Sequence, residues 1–365
     1  MRYRSFNYIL ILTFTISLSI TIVKANIEDE NKLISLANAS YPLTLTDGYG
    51  RNVTFTEEPQ QIVSIAPSTT EVIYAVGAGD KVIAVDFSSN FPNETASLPK
   101  VSNFPAIDLE ALLVLNPDLV FGAGITSNDD VTAMENQGIQ VFILAPFTLE
   151  DVFDDIVKVG QITNHTTEAT LLKNSLRTRL DSVLLNASSF TYQPKIYLEF
   201  ASDPLYTFGK GTYGHDLIEL AGAINIAENA TGLYPQVDHE FIIINNPDII
   251  FYTKGSWTTT NTSSITARVG WEAISAVKNG MIFPINEDWV SRGGPRIIDG
   301  LEAIHSKVQD EVKSKTLSTS TTLSTSNTTT MTISPSTKDI VTFHMFDIMG
   351  IIPVLAVIIF RRVHS

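Results

Sequence analysis

Six histidines are the residues best equipped for metal binding or proton transfer: His165, His215, His239, His305, His344 and His364. None has the i, i+4 spacing that sets two imidazoles on one helix face. His215 precedes Asp216, but neighbours on a helix point apart and make a poor dyad. There is no cysteine. That excludes disulfides, thiolate zinc sites and a cysteine nucleophile. Gly209-Lys-Gly-Thr is a fragment of a phosphate loop without its full spacing. Ser64 and Ser68 stand in no nucleophile elbow. These residues predict a protein that runs no reaction and carries no metal or cofactor of its own.

Two glutamates suggest different chemistry. LEALLVLNPDLVFG, residues 109–122, is echoed by HEFIIINNPDIIFY, residues 239–252. Aligned on Glu110 and Glu240, both run six residues to Pro-Asp and three further apolar residues, ending in Phe121 or Phe251. An offset of 130 residues is too long for a solenoid repeat and suits two similar lobes. One exposed glutamate is usually an ordinary solvated side chain. Two at the same offset match a two-fold symmetric partner with two cationic sockets, where charge gives orientation and on-rate more than affinity.

The elements that must carry them alternate. Ile62-Val-Ser-Ile reads as a strand stopped by Pro67, and Ser68-Thr-Thr-Glu71 as a capping box opening a helix. Strands over 81–86, 118–122 and 140–144 alternate with helices over 107–115 and 131–138. The second half repeats the plan with strands at 195–201, 248–252 and 281–284 and helices at 213–221 and 241–246. Between them, residues 149–185 carry apolar positions at helical spacing, broken at Asn164-His165-Thr166, so the second helix is roughly 27 Å long. The expected class is α/β, with two Rossmann-like lobes (44–147 and 191–312), linking helices (148–190), one long bridging helix and a ligand cleft between the lobes.

The ends predict export. Residues 1–25 place Arg2 and Arg4 before an apolar run and read as a signal peptide, the alternative being an uncleaved anchor. Residues 314–338 are a Ser/Thr-rich stalk. Residues 341–360, followed by Arg361-Arg362, read as a transmembrane anchor, the alternative being a C-terminal core helix. Sequons begin at Asn38, Asn52, Asn93, Asn164, Asn186, Asn229, Asn261 and Asn327, as in an exported glycoprotein. The expectation is a cell-surface protein held by its C-terminus. A formal net charge of −15 argues against nucleic acid.

Several stretches in order resemble one family: IVSIAPSTTEVIYAVGAGDKVIAVD, LEALLVLNPDLVF, FGKGTYGHDLIELAGAINIA, YPQVDHE and DWVSRGGPRIIDGLEAI. Residues 44–312 are similar to the substrate-binding proteins of ABC importers for cobalamin and iron-siderophores. The resemblance implies a non-enzymatic receptor whose partners are a small-molecule ligand and a permease dimer with its ATPase, docked through Glu110 and Glu240. It looks closest to the cobalamin receptors, which implies ligand contacts at Ser68, Phe87, Phe104, Tyr206, Tyr234, Asp288, Trp289 and Arg292. Aromatic walls with a few polar anchors suit a bulky macrocycle with amide arms. Phe87 and Trp289 could equally be core residues. Phe104 and Tyr234 stand where cobalamin receptors have Trp, as does Ala123. The runner-up is a ferric hydroxamate siderophore, since anionic catecholate complexes call for an Arg/Lys cluster and only Arg292 and Lys210 are at hand. Haem, with Tyr206 or Tyr234 as ligand, stands lower. The rival of another class is a surface adhesion protein on the same fold.

Overall fold

Alternating residues form the first two strands. Leu43–Thr46 (β1) and Asn52–Phe55 (β2) pair antiparallel, with Leu43 opposite Phe55. The computed structural model describes residues 40–103, 106–255 and 258–326.

Ile62–Ser64 (β3) is buried throughout, as a central parallel strand should be. Pro67 ends it and begins α1, Pro67–Ala75. Proline fits the first helical turn because its missing N–H would be unpaired there anyway. The expected capping box does not form. Ala66 is the N-cap and no side chain caps the helix, while Thr69 and Thr70 return their hydroxyls to the Ala66 carbonyl at 2.8 and 3.1 Å. Then follow Val82–Asp86 (β4), Lys100–Asn103 (β5), Ala106–Ile107 (β6), Leu109–Leu115 (α2), Leu119–Ala123 (β7), Asn128–Asn136 (α3) and Val141–Leu144 (β8). The sheet order is β6-β5-β4-β3-β7-β8, parallel except for β5–β6. Helix α3 starts earlier than the apolar pattern suggests because Ser127 caps it, accepting from the Asp130 amide at 3.0 Å.

Two helices link the lobes: Leu149–Ile162 (α4) and Thr166–Ala187 (α5). Asn164 turns the chain between them at φ 60°. A Cβ on Gly160 would stand 2.3 Å from the Ala169 Cβ, so glycine is what lets these helices meet. At 22 residues α5 is a strut roughly 33 Å long. Arg179 on it binds Glu302 at 2.6 and 2.9 Å and Asp299 at 2.6 Å.

The second lobe comprises Lys195–Ser202 (β9), Leu205–Thr207 (β10), Tyr213–Leu220 (α6), Ile224–Asn225 (β11), His239–Asn245 (α7), Ile249–Lys254 (β12), Thr262–Thr266 (α8), Ser275–Lys278 (α9), Ile282–Asn286 (β13), Glu287–Ser291 (α10) and Ile297–Ser326 (α11). Its sheet runs β10-β9-β12-β13, with β11 also along β9. One apolar core passes from Phe121 and Phe142 through Val152, Ile156 and Leu176 to Leu198 and Phe208. The two Rossmann-like lobes are thus bridged by packed helices, not by a loose tether.

Three expectations at the ends meet different fates. Helix α11 continues to Ser326, so the chain is helical over 314–326, where an extended stalk was expected. No glycine or proline interrupts it between Leu301 and Ser326. The signal peptide at 1–25 and the span at 341–360 lie outside the described residues. The placement at a cell surface on a C-terminal transmembrane segment is corrected: among the described residues no helix is long and apolar enough to cross a membrane. The sequon asparagines within the described residues, Asn52, Asn93, Asn164, Asn186, Asn229 and Asn261, are all exposed.

Candidate functional site

The carboxyl ends of the parallel strands in each lobe face the other lobe. Beyond β3, Glu71 meets Arg292 and Arg296; beyond β4, Asn90 accepts from Arg292 at 3.0 Å; beyond β8, the Pro146 carbonyl accepts from the Tyr213 hydroxyl. Loops at such strand ends are where open α/β sheets bind ligands. The Arg-Gly-Gly-Pro-Arg turn allows the approach. A Cβ on Gly293 would stand 2.5 Å from the Tyr213 hydroxyl and 2.9 Å from Pro146.

Four charges where the lobes meet pair with one another. Glu71 is buried, 3% exposed. It accepts from Arg292 Nη1 at 3.0 Å, Arg296 Nε at 2.9 Å and Arg296 Nη2 at 2.5 Å. Asp288 pairs with Arg292 Nη2 at 2.8 Å and Arg296 Nη2 at 3.1 Å. The Arg296 guanidinium also lies 4.0 Å over the Phe91 ring. Burial disfavours the Arg296 charge, but its bonds to Glu71 and Asp288 outweigh this and raise its pKa. Two arginines and two carboxylates therefore cancel. Glu71 was read from sequence only as a capping residue; it is the inter-lobe anchor.

Buried hydroxyls hold the loop beside this cluster. Ser64, Thr69, Thr70 and Ser89 form a chain at 2.6, 2.7 and 2.8 Å that ends on Asp86. Burial pushes the Asp86 carboxyl up. Ser64 is thus structural. The phosphate-loop fragment is structural too: Thr212 caps α6, and its hydroxyl donates to the Gly209 carbonyl at 2.7 Å. His215 is buried with Nδ1 3.3 Å from the Asn225 amide.

The sequence-predicted ligand residues divide. Ser68 is half-buried at the start of α1, where its carbonyl faces Gly294. Phe87, just past β4, is 64% exposed and so is not core. Tyr234 is 44% exposed and packs on Phe200 and Phe208 at 5.4 and 5.6 Å. Burial raises its pKa. Tyr206 is half-buried beside Gln236. Trp289 is half-buried on α10, with its carbonyl held close to Gly300. Asp288 and Arg292 are bound to each other, and Arg292 also reaches Glu71 and Asn90 of the opposite lobe, so it joins the lobes before it can serve a ligand. Phe104 lies outside the described residues. Phe147, 76% exposed just past β8, is a further exposed aromatic at a strand end that the sequence reading did not single out. Its signal was an aromatic residue beyond the end of a buried strand.

The repeated glutamates stand on matched helices. Asp108 caps α2, accepting from the Ala111 amide at 3.0 Å; Asp238 caps α7, accepting from the Phe241 amide at 2.7 Å. Asn116 and Asn246 end them at φ 47° and 45°. The following aspartates bind neighbouring strand starts: Asp118 accepts from Gln60 and Gln61 amides at 2.9 Å, Asp248 from the Lys195 amide at 3.0 Å. Most of the repeat is therefore architecture. Glu110 and Glu240 are exposed first-turn residues. Neither side chain has a hydrogen bond or ion pair to another described residue. Their interaction with the helix end amounts to only about 0.3–1 kcal/mol each.

The chain belongs to the periplasmic binding protein family, whose model matches residues 62–288. Members are solute receptors of ABC importers, which act with a permease and an ATPase and catalyse no reaction. An uncharacterised ABC transporter substrate-binding lipoprotein of Bacillus subtilis is 31% identical over 271 residues, 72% of this chain and 84% of that protein. A vitamin B12-binding protein of Photorhabdus laumondii is 28% identical over 260 residues, 69% and 89% of the two chains. The crystal structure of a periplasmic vitamin B12 binding protein of Vibrio cholerae matches with TM-score 0.61 at 25% identity, over 69% of this chain and 97% of that one. These relatives lend no support to a C-terminal transmembrane placement.

Proposed function

We propose that this receptor binds a cobalamin-type corrinoid between its lobes and delivers it to an ABC permease dimer through Glu110 and Glu240. The observation that carries the ligand reading is the pairing of both arginines with Glu71 and Asp288, together with the exposure of Phe87 and Tyr234. A cleft whose two arginines are already paired with carboxylates suits a bulky, largely apolar ligand fixed by a few polar groups, and disfavours an anionic catecholate complex. The vitamin B12-binding relatives point the same way.

Calorimetric titration of the full chain with cyanocobalamin tests it, with a ferric hydroxamate complex run in parallel. One-to-one cobalamin binding is expected, weakened at least tenfold by Phe87→Ala or Tyr234→Ala. Hydroxamate binding without cobalamin binding would overturn the ligand and keep the receptor. Silence for both would bring forward adhesion on this fold.

A further inference from the structure

The outward faces of α2 and α7 repeat more than a charge. On α2, Leu112 is fully buried, so residues 110 and 114 fall on the opposite side. An ordinary surface helix places polar residues there. This one places Glu110 beside Val114, 86% exposed; α7 places Glu240 beside Ile244, 71% exposed. In each helix the carboxylate and the aliphatic side chain are spaced i, i+4 and share one face.

Scattered exposed aliphatics are normal and need no explanation. Here the same pair recurs at the same register in both lobes, on helices whose other repeated residues have structural tasks. Neither Val114 nor Ile244 contributes to the core.

Resting on the docking reading above, we infer that the permease-binding unit on each lobe is a glutamate–aliphatic pair, Glu110 with Val114 and Glu240 with Ile244. The partner it fits is a two-fold symmetric integral-membrane protein that offers, in each half, an arginine beside an apolar hollow. The two members do different work. The carboxylate steers encounter and fixes orientation, so it acts on the on-rate and gives salt dependence. The aliphatic group buries only after contact, so it acts on residence time.

The test uses the full chain and the permease–ATPase complex of the same organism in lipid nanodiscs, with association and dissociation followed at several salt concentrations. Val114→Ser/Ile244→Ser should weaken binding about tenfold, chiefly through faster dissociation, with an unchanged salt slope. Glu110→Gln/Glu240→Gln should slow association and flatten the salt slope. Both double variants should stay folded, with melting temperatures within about 4 °C of wild type, because all four side chains are exposed and the glutamates' interaction with their helix ends is small. Wild-type dissociation in the aliphatic variant, with an impaired glutamate variant, overturns the inference and leaves the docking reading intact. Wild-type binding by both variants overturns both readings. Loss of self-association in the aliphatic variant, seen by sedimentation without a change in permease binding, would assign the face to a second copy and overturn the inference.

Discussion

Replacing Glu71 with glutamine removes one charge from the joint between the lobes and little else. The side chain is buried and accepts three charge-assisted hydrogen bonds from Arg292 and Arg296. Removing one partner of a buried ion pair costs about 3–5 kcal/mol, because the other charge is left behind. Two features lower that figure. Asp288 still faces both guanidiniums, and each arginine side chain is 16% exposed. Glutamine also keeps one carbonyl acceptor. The expected loss is about 2–3 kcal/mol, a fall of roughly 1 M in urea midpoint at an m-value near 3 kcal/mol/M. A double-mutant cycle with Arg296→Met should show coupling above about 1 kcal/mol. The same substitution uncovers one positive charge between the lobes, so an anionic ferric catecholate complex should bind Glu71→Gln and not the wild type. A midpoint within about 0.2 M of wild type, together with no new anion binding, would refute the claim that these paired charges hold the lobes.

Two further outcomes follow from packing and titration. Gly160→Ala should gain up to about 1 kcal/mol from helix propensity, but its new Cβ would meet the Ala169 Cβ at 2.3 Å and the His165 carbonyl at 2.8 Å. Overpacking of that kind costs about 1–3 kcal/mol, so denaturation should show a net loss. Asp155 is buried, pairs with Lys158 at 2.9 Å and leaves Oδ2 without a partner, and burial raises its pKa. The folded state then holds this proton more tightly than the unfolded state, so Asp155 contributes more stability as pH falls through its folded pKa, levelling off below about 3.9, its ordinary value. Urea unfolding of wild type and Asp155→Asn between pH 7 and pH 4 should show the wild type gaining on the variant as pH falls; a constant difference would contradict this.

The fold was legible where local chemistry decides it. Pro67, the Asn-Pro-Asp breaks and the strand–helix alternation depend on neighbours in the chain, and the repeat of residues 109–122 at 239–252 gave the two lobes directly. Glu71 shows where such reading ends. Ser-Thr-Thr-Glu has the spacing of a capping box, yet Glu71 bonds residues 221 and 225 positions away. No local pattern distinguishes the two uses. Val114 and Ile244 read as ordinary members of apolar runs, because a short helix before a buried strand shows too few residues to separate its faces. Residues 314–338 were read as a stalk on composition alone, whereas helix α11 runs to Ser326. Ser and Thr are only modest helix formers, but a helix anchored by Leu301, Ile304 and Val308 continues until something stops it.

The disposition of charge separates the two tasks of a receptor that must hold a solute and then let go of it at a membrane protein. Between the lobes Arg292 and Arg296 are both paired with Glu71 and with Asp288, and parting the lobes breaks the Glu71 pairs. That makes ligand capture depend on shape and aromatic contact more than on Coulomb attraction, and keeps it insensitive to salt. On the outer helices the order is reversed: Glu110 and Glu240 have no partner among the described residues and lie in water, where a lone exposed charge is worth little to stability. Their value appears only when a second surface supplies the opposite charge. An acidic chain of net charge −15 adds a long-range field that draws it towards a positively charged patch and is screened within about 8 Å at physiological salt. On the proposed reading, transport should therefore lose efficiency with rising ionic strength at the docking step, while affinity for the proposed corrinoid stays level. A corrinoid affinity that fell in parallel with docking would mean that the cleft charges are not paired off after all.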